Sequence, residues 1–262
     1  MKIQLNEREV SLAEPQTIGE LRAQFKPTAD VLICNGAMVE STQLLAEGDV
    51  VMLIARGETP SPAEFESLMV SRHTPGVHAQ VKQACVGIAG LGGLGSAVAV
   101  ALTRMGVGKL ICIDFDVVEP SNLNRQQYFV DQLGTYKTEA LAANLARINP
   151  YVEVEIHTER ITPANAHALL GEADIWVEAF DRPDQKAMLM QQAGKKPFVG
   201  ASGLAGYEKA EQIQVHKLGR SVYIVGDLTT GAAPGCGLMA PRVGVAAHMQ
   251  ANVVIELILG AR

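Results

Sequence analysis

Cysteine is scarce and unpatterned in this chain. Its four cysteines (Cys34, Cys85, Cys112, Cys236) are scattered with no C-x-x-C pair. That counts against a disulfide frame or a structural zinc site and suits free thiols in a reducing cytoplasm. Basic excess is missing too: Lys and Arg total 22 against 28 Asp and Glu, a formal charge of −6. Non-specific nucleic-acid binding loses its electrostatic basis, and small anions or a protein partner become the expected ligands. No apolar run approaches the length of a membrane span, and Met1-Lys2-Ile3-Gln4-Leu5 begins a strand pattern rather than a signal peptide. Internal repeats and low-complexity tracts are absent as well. What remains is 262 residues, 48% of them hydrophobic, enough for one large domain or a large domain with a small companion.

The organising stretch is Val86-Gly87-Ile88-Ala89-Gly90-Leu91-Gly92-Gly93-Leu94-Gly95-Ser96. A short apolar strand breaks into glycines and then reads as a helix. Glycine there permits a tight turn, close approach of phosphate to backbone, and close packing of helix on strand. The helix start turns unpaired N–H groups and a positive dipole end into the turn, which favours an anion. The spacing Gly90-x-Gly92-x-x-Gly95 fits a dinucleotide fingerprint, and Asp114 follows where a ribose-binding acid is expected. This pattern predicts a nucleotide without saying which.

Residues 1–57 read as a separate module. Lys2–Leu5 and Glu9–Leu12 form a hairpin pattern about Asn6-Glu7-Arg8, and Thr17 with Glu20 makes a capping box for a helix over Ile18–Phe25. Strands follow at Val31–Cys34 and Asp49–Ala55. This order predicts a β-grasp domain, the architecture of ubiquitin and of small sulfur carriers. Such carriers end in a free Gly-Gly, whereas here Arg56-Gly57-Glu58-Thr59 continues the chain. The module is therefore expected to be a structural or docking appendage rather than a carrier released by cleavage. Residues 58–76, with Pro60, Pro62, Pro75 and a short helical pattern over Ala63–Val70, read as a linker.

From 77 to 262 the chain reads as one domain. Strands are expected at Cys85–Ala89, Leu110–Asp114, Val152–His157, Ile175–Ala179 and Pro197–Ala201. Helices are expected at Ser96–Met105, Thr135–Ile148, Pro163–Leu170 and Asp184–Ala193. The alternation predicts an α/β, Rossmann-like, doubly wound and mainly parallel sheet with its ligand at the carboxyl ends of the strands. A hairpin about Leu218-Gly219-Arg220 and a closing helix over Ala240–Leu259 complete it.

Asp114 at a strand end suits two hydrogen bonds to ribose hydroxyls, in NAD or ATP alike. A dehydrogenase then needs an apolar slot for nicotinamide. This chain supplies Ser121, Asn122, Asn124, Arg125 and, one helix start later, Lys137. Guanidinium and ammonium groups suit a triphosphate and the charge that develops as pyrophosphate leaves. A solvated polar loop is the bland alternative. Asp181 closes the apolar strand and is placed to hold Mg²⁺ against phosphates, while Glu178 reads as a pairing residue within the strand. Arg72 and His73 sit just upstream of the nucleotide domain, where a mobile arginine reaches a phosphate in its own site or a neighbour's. Cys236, in a Gly/Pro loop, is the one candidate nucleophilic thiol, with an incidental loop residue as the plainer reading. Cys34, Cys85 and Cys112 read as packing residues.

With these residues assembled, the chain resembles the ubiquitin-activating-like superfamily over its whole length. More narrowly, it resembles the ThiF-type adenylyltransferases that activate the sulfur carrier ThiS, in a form with a fused ThiS-like N-terminal module. The resemblance rests on Gly90–Gly95, Asp114-Phe115-Asp116, Ser121-Asn122-Leu123-Asn124-Arg125-Gln126, Lys137, Ile148-Asn149-Pro150 and Asp181. Arg72–His78 and Leu238–Gly244 support it. It implies ATP bound by Gly93, Asp114, Asn122, Arg125 and Lys137, with Asp181 near magnesium. It also implies a homodimer, with Arg72 the arginine inserted into the partner's site. The implied reaction is adenylation of the Gly-Gly carboxylate of ThiS for thiamine thiazole synthesis, with a separate sulfur-donor protein or Cys236 acting later. Two departures stand out: no paired C-x-x-C motifs, hence no zinc expected, and Arg182 where the family usually has asparagine. Competing expectations are the molybdopterin sulfur carrier or a tRNA-linked carboxylate as substrate, an NAD-dependent oxidoreductase, and a nucleotide sensor without catalysis.

Overall fold

The structure is a computed structural model that describes residues 1–6, 8–73, 76–207 and 209–260. Glu7 of the expected hairpin turn, and Thr74 and Pro75 of the segment after Arg72, lie outside the described residues. The chain forms two compact units, Met1–Gln80 and Val81–Arg262.

The first unit begins with strands β1 (Lys2–Leu5) and β2 (Arg8–Ser11), then helix α1 (Ile18–Phe25). Thr17 caps α1: its hydroxyl accepts the Glu20 N–H at 3.2 Å, and the Glu20 carboxylate accepts the Thr17 N–H at 2.7 Å. Strands β3 (Val31–Cys34), β4 (Ala37–Met38) and β5 (Val50–Ile54) complete a sheet of order β2-β1-β5-β3-β4. β1 runs parallel to β5 and the other pairings are antiparallel. Alternation along the strands sorts apolar residues onto two faces. Ile3, Leu5, Leu32, Val51 and Leu53 join Ile18 and Leu21 of α1 in one core. Val31, Ile33, Met52 and Ile54 occupy the other face, against Ala63 and Leu68. Those two residues belong to helix α2 (Pro62–His73). The segment expected as a linker with a helical pattern over 63–70 therefore holds a longer helix. It packs on the sheet because four apolar side chains would otherwise face water. Burial pushes the Cys34 thiol up to about 11.

Helix α3 (Val77–Gln83) leads into the second unit, where β6 (Cys85–Ala89), α4 (Gly93–Met105), β7 (Lys109–Ile113), α5 (Lys137–Ile148) and β8 (Glu153–His157) follow in turn. Then come α6 (Ala166–Leu170), β9 (Ile175–Glu178), α7 (Pro183–Ala193), β10 (Phe198–Ala201), β11 (Gln214–Leu218), β12 (Val222–Gly226) and α8 (Ala240–Ile258). The sheet order is β11-β12-β10-β9-β6-β7-β8, parallel throughout except for the β11–β12 hairpin. α4 starts three residues before the expected Ser96, because Gly93, Leu94 and Gly95 are already helical. α6 is confined to Ala166–Leu170, since Asn165 takes the Thr162 N–H at 2.7 Å and holds the preceding residues in a turn.

The chain winds from β6 through β7 to β8 on one side, then returns to lay β9 against the other side of β6. The connections after β6 and β9 therefore leave in opposite directions, and a crevice opens at the carboxyl ends of these strands. One face is packed by α6 and α7 around Trp176, Leu170, Leu189 and Phe198. On the other, α4 packs between α5 and α8.

Candidate active site

A cleft of about 630 Å³ lies at this switch point. Gly90 ends β6 with φ at +90°, and a Cβ there would sit 2.9 Å from the Ala179 carbonyl oxygen. A Cβ on Gly95 would fall 1.8 Å from the Gly90 carbonyl oxygen. The helix therefore lies against the strand end at a distance only glycine allows. Gly92 is the N-cap of α4 and offers no side chain, so the first N–H groups of the helix open toward the cleft.

Gly90, Gly92, Gly93, Asp114, Asn122, Arg125, Lys137 and Asp181, all singled out from the sequence, line this one cleft. Asp114 is buried; its carboxylate accepts the Leu91 N–H at 2.7 Å and the Asp116 N–H at 2.9 Å. Each oxygen keeps acceptor capacity for a hydroxyl. Lys137 is the first residue of α5 and is buried, with Nζ 2.9 Å from Asp116 Oδ2. Asn122 is buried in a 3₁₀ turn and accepts the Glu119 N–H at 3.1 Å. Arg125 donates to the Ser121 carbonyl at 3.3 Å and to Asn124 Oδ1 at 2.7 Å. Ser96 ties this loop to the glycine turn, its hydroxyl donating to Gly92 O at 2.6 Å and accepting the Gln127 N–H at 3.2 Å.

Gly95, Ser121 and Asn124 are not among the lining residues. Gly95 serves the close packing just described. Ser121 points to Glu119 at 3.4 Å, and Asn124 donates to the Leu238 carbonyl at 3.2 Å while holding Arg125. Their side chains fix the loop. Arg72 belongs to the first unit, exposed near the end of α2. Asp181 is exposed, and its carboxylate takes no hydrogen bond among the described residues.

Several lining residues escaped the sequence reading. Arg160 stacks its guanidinium 4.0 Å over the Phe115 ring, and both line the cleft. Gln126 is buried with Oε1 lacking a partner among the described residues. Lys186, brought by α7, pairs with buried Glu178 at 2.9 Å. Among these Phe115 and Gln126 lay inside quoted motifs. Arg160 and Lys186 carry no spacing signal, because topology alone brings them to the crevice.

Cys236 is half-buried, in a turn bridged to Ala233. Burial pushes Cys112 up to about 12 and raises Cys85. Both thiols are therefore poor nucleophiles, as packing residues should be. Among the described residues no group of three His, Cys, Asp or Glu is arranged to hold a metal ion. No helix among them is long and apolar enough to cross a membrane.

Residues 66–262 match the ThiF family, and residues 1–57 match the ThiS-like ubiquitin family. The chain belongs to the ThiF family. A similar curated protein is ubiquitin-like modifier-activating enzyme 5 of Arabidopsis thaliana, 33% identical over 156 residues, which are 59% of this chain and 34% of that protein. The chain spans about a third or less of the length of the curated relatives it matches. Among solved structures, E. coli tRNA N6-threonylcarbamoyladenosine dehydratase (TcdA) in complex with ATP is similar with a TM-score of 0.70. It is 23% identical, and the match covers 78% of this chain and 98% of that one. E. coli MccB is 30% identical with a TM-score of 0.53, covering 70% of this chain and 58% of that one. The likeness to the TcdA structure bears on the fold alone, a mainly parallel α/β sheet, while the ThiS-like character of the N-terminal unit rests on the family match over residues 1–57.

Proposed function

We propose that this ThiF-family chain binds ATP in the cleft at the β6–β9 switch point and adenylates a carboxylate, releasing pyrophosphate. The observation that carries the reading is convergence: Arg125, Lys137 and Asp181 line one cleft with the open start of α4 and the ribose-competent Asp114. A carboxylate is a feeble nucleophile, so alignment and charge neutralisation supply the rate rather than a base. Asp114 takes the ribose hydroxyls, and the glycine turn with the α4 start takes phosphate. Arg125 and Lys137 offset charge on the phosphates as the carboxylate oxygen bonds to the α-phosphorus and pyrophosphate departs, leaving an acyl-adenylate. Asp181, free of other hydrogen-bond partners among the described residues, suits Mg²⁺, which binds through one or two carboxylates together with substrate phosphates. Mg²⁺ so held adds positive charge at the phosphates.

The substrate we favour is the C-terminal Gly-Gly carboxylate of a ThiS-type carrier supplied by a separate protein, in thiamine thiazole synthesis. The fused ThiS-like unit supports that preference, and its chain runs on past Gly57 into α2, so it has no free carboxylate of its own. Relatives named ubiquitin-like modifier-activating enzymes suit a carrier protein as partner. A homodimer in the cytoplasm is part of the same reading, with Arg72 entering the partner's cleft. Sulfur transfer to the adenylate then falls to a donor protein or to Cys236.

ATP–pyrophosphate exchange tests this, run with and without ThiS-type and molybdopterin-type Gly-Gly carriers and with tRNA. Exchange that requires a carrier supports the reading. Exchange that requires tRNA moves the substrate to a tRNA-linked carboxylate; TcdA is itself named a tRNA N6-threonylcarbamoyladenosine dehydratase. Tight NAD binding with no exchange under any condition would sink it.

A further inference from the structure

The charged group buried most deeply beside the cleft is one the reaction itself leaves unused. β9 and β10 pair side by side only at Trp176–Phe198 and Val177–Val199. Just beyond, Glu178 occupies the gap with 1% exposure. Its Oε1 accepts the Phe180 N–H at 2.6 Å and Lys186 Nζ at 2.9 Å, and its Oε2 accepts the Ala201 N–H at 3.4 Å. Lys186 Nζ also donates to the Ala201 carbonyl at 2.9 Å. From α8, Gln250 Nε2 donates to the Glu178 and Val199 carbonyls at 3.0 and 3.2 Å. A Cβ on Gly200 would lie 3.1 Å from Glu178 Oε2, so the bare glycine leaves room for the carboxylate.

The bonds converge next to Asp181. Its own carboxylate has no hydrogen bond among the described residues, so nothing attached to that side chain fixes it. The backbone that carries it is fixed instead. Ala179 N–H donates to Ala89 O at 2.9 Å, Phe180 N–H donates to Glu178, and Lys186 N–H donates to Arg182 O at 3.1 Å. A reacting geometry must hold to within about half an ångström, and a misplacement of about 1 Å costs roughly a hundredfold. A buried ion pair is also a poor source of stability, since desolvation offsets its attraction. An apolar pair would pack the same gap without that cost.

We propose that Glu178 and Lys186 form a positioning pair that locks the Ala179–Arg182 turn and so sets where the Asp181 carboxylate stands. This rests on the adenylation reading for its consequence but not for its geometry. Neither residue touches the reacting atoms; both act through Asp181.

The test uses the full chain with the apolar double variant Glu178→Leu/Lys186→Met, which removes the acceptor of the Phe180 N–H and leaves no unpaired buried charge, alongside Lys186→Arg. The double variant is expected to fold and to bind ATP without Mg²⁺ as the parent does. The Phe180 amide, whose acceptor is the Glu178 carboxylate, should exchange with solvent at least about tenfold faster. Carrier-dependent pyrophosphate exchange should lose about ten- to a hundredfold in kcat with little change in KM for ATP. Lys186→Arg should restore most of both. Unchanged amide protection overturns the proposal whatever the activity. Faster amide exchange with parental kcat overturns it too, because the turn would then be loose without consequence. Weakened ATP binding without Mg²⁺ would make Lys186 a direct phosphate ligand and overturn the indirect role. If the parent shows no exchange with any substrate, the function reading falls, and the amide protection alone then decides the lock.

Discussion

The Lys137 ammonium is held 2.9 Å from Asp116 Oδ2, with the lysine buried and the aspartate half-exposed, and both line the same cleft. The Lys137 N–H also donates to the Asp116 carbonyl at 2.9 Å. The strand-end loop therefore grips the first residue of α5 twice and aims a cation from its base. Lys137→Met should reduce pyrophosphate exchange about 10²–10³-fold, the range for losing one preorganised charge donor. Its unfolding midpoint should barely move, since the partner left behind faces water. Asp116→Ala is expected to act the other way, stranding a buried ammonium at about 1–2 kcal/mol after discounting for the exposed partner. Urea titrations of both variants check the contrast. Parental exchange in Lys137→Met would remove it from the phosphate set.

The glycine motif separates into packing and binding positions. A Cβ on Gly95 meets backbone at 1.8 Å, whereas one on Gly92 meets only Gln126 Nε2 at 3.8 Å. Gly95→Ala should therefore destabilise by about 1–3 kcal/mol or more, because neither backbone can yield cheaply. Gly92→Ala should keep the unfolding midpoint within a few degrees while weakening ATP binding at the open end of α4. Calorimetry with and without ATP distinguishes the two, and equal melting losses would refute the division.

A second buried pair sets an acid limit. Asp227 accepts the N–H groups of Thr229 and Thr230 at 2.8 and 2.7 Å and the Arg242 guanidinium at 2.5 Å, and Arg242 itself is 3% exposed. Burial alone would raise this carboxyl, but donors from Thr230 and Thr229 outweigh it and hold it well below the usual range. A depressed carboxylate contributes fully above its unfolded value near pH 4 and loses that contribution as pH falls through the folded value. Urea midpoints should show no change from this group between pH 7 and 5. They should fall below about pH 4 more steeply in the parent than in Asp227→Asn. Asp227→Ala should cost about 3–5 kcal/mol at pH 7 by leaving Arg242 buried and unpaired. Parallel acid profiles for parent and Asp227→Asn would contradict this account.

Strands and the cleft floor were legible in the sequence where the pattern is local. Val86–Gly95 announces strand, turn and helix by itself, and Thr17 with Glu20 announces α1. The start of α4 at Gly93 was not legible, because glycine carries no hydrophobic period and the helical turn there is imposed by packing on Gly90. Ala63 and Leu68 gave α2 too faint an apolar face, since the surface it covers is assembled from two separate strands, β3 and β5. Lys186 and Arg160 were missed for a related reason. Lys186 reaches the cleft only because β9 returns to β6, and Arg160 only because β8 lies parallel beside β7 and sets it over Phe115, pairings that no short motif encodes. Asn124 illustrates the converse, a motif residue whose side chain turns to the Leu238 carbonyl and steadies Arg125.

Asp181 offers the cleanest separation of fold from chemistry. It is exposed and has no hydrogen bond to lose among the described residues. Asp181→Ala should therefore leave stability within about 0.5 kcal/mol while abolishing pyrophosphate exchange. Arg72 is equally exposed, so Arg72→Ala should also fold as the parent does. If Arg72 enters a partner's cleft, each variant alone is inactive, yet their mixture regains activity. A mixed dimer has one site with both Asp181 and the partner's Arg72 intact, and one site lacking both. Random reassortment of equal amounts makes half of the dimers mixed, so about a quarter of parental activity should return. Recovery of that size, measured after dissociation and reassembly, places Arg72 in the neighbour's site. Two inactive variants with no recovery place it in its own, and an active Arg72→Ala removes it from the reaction.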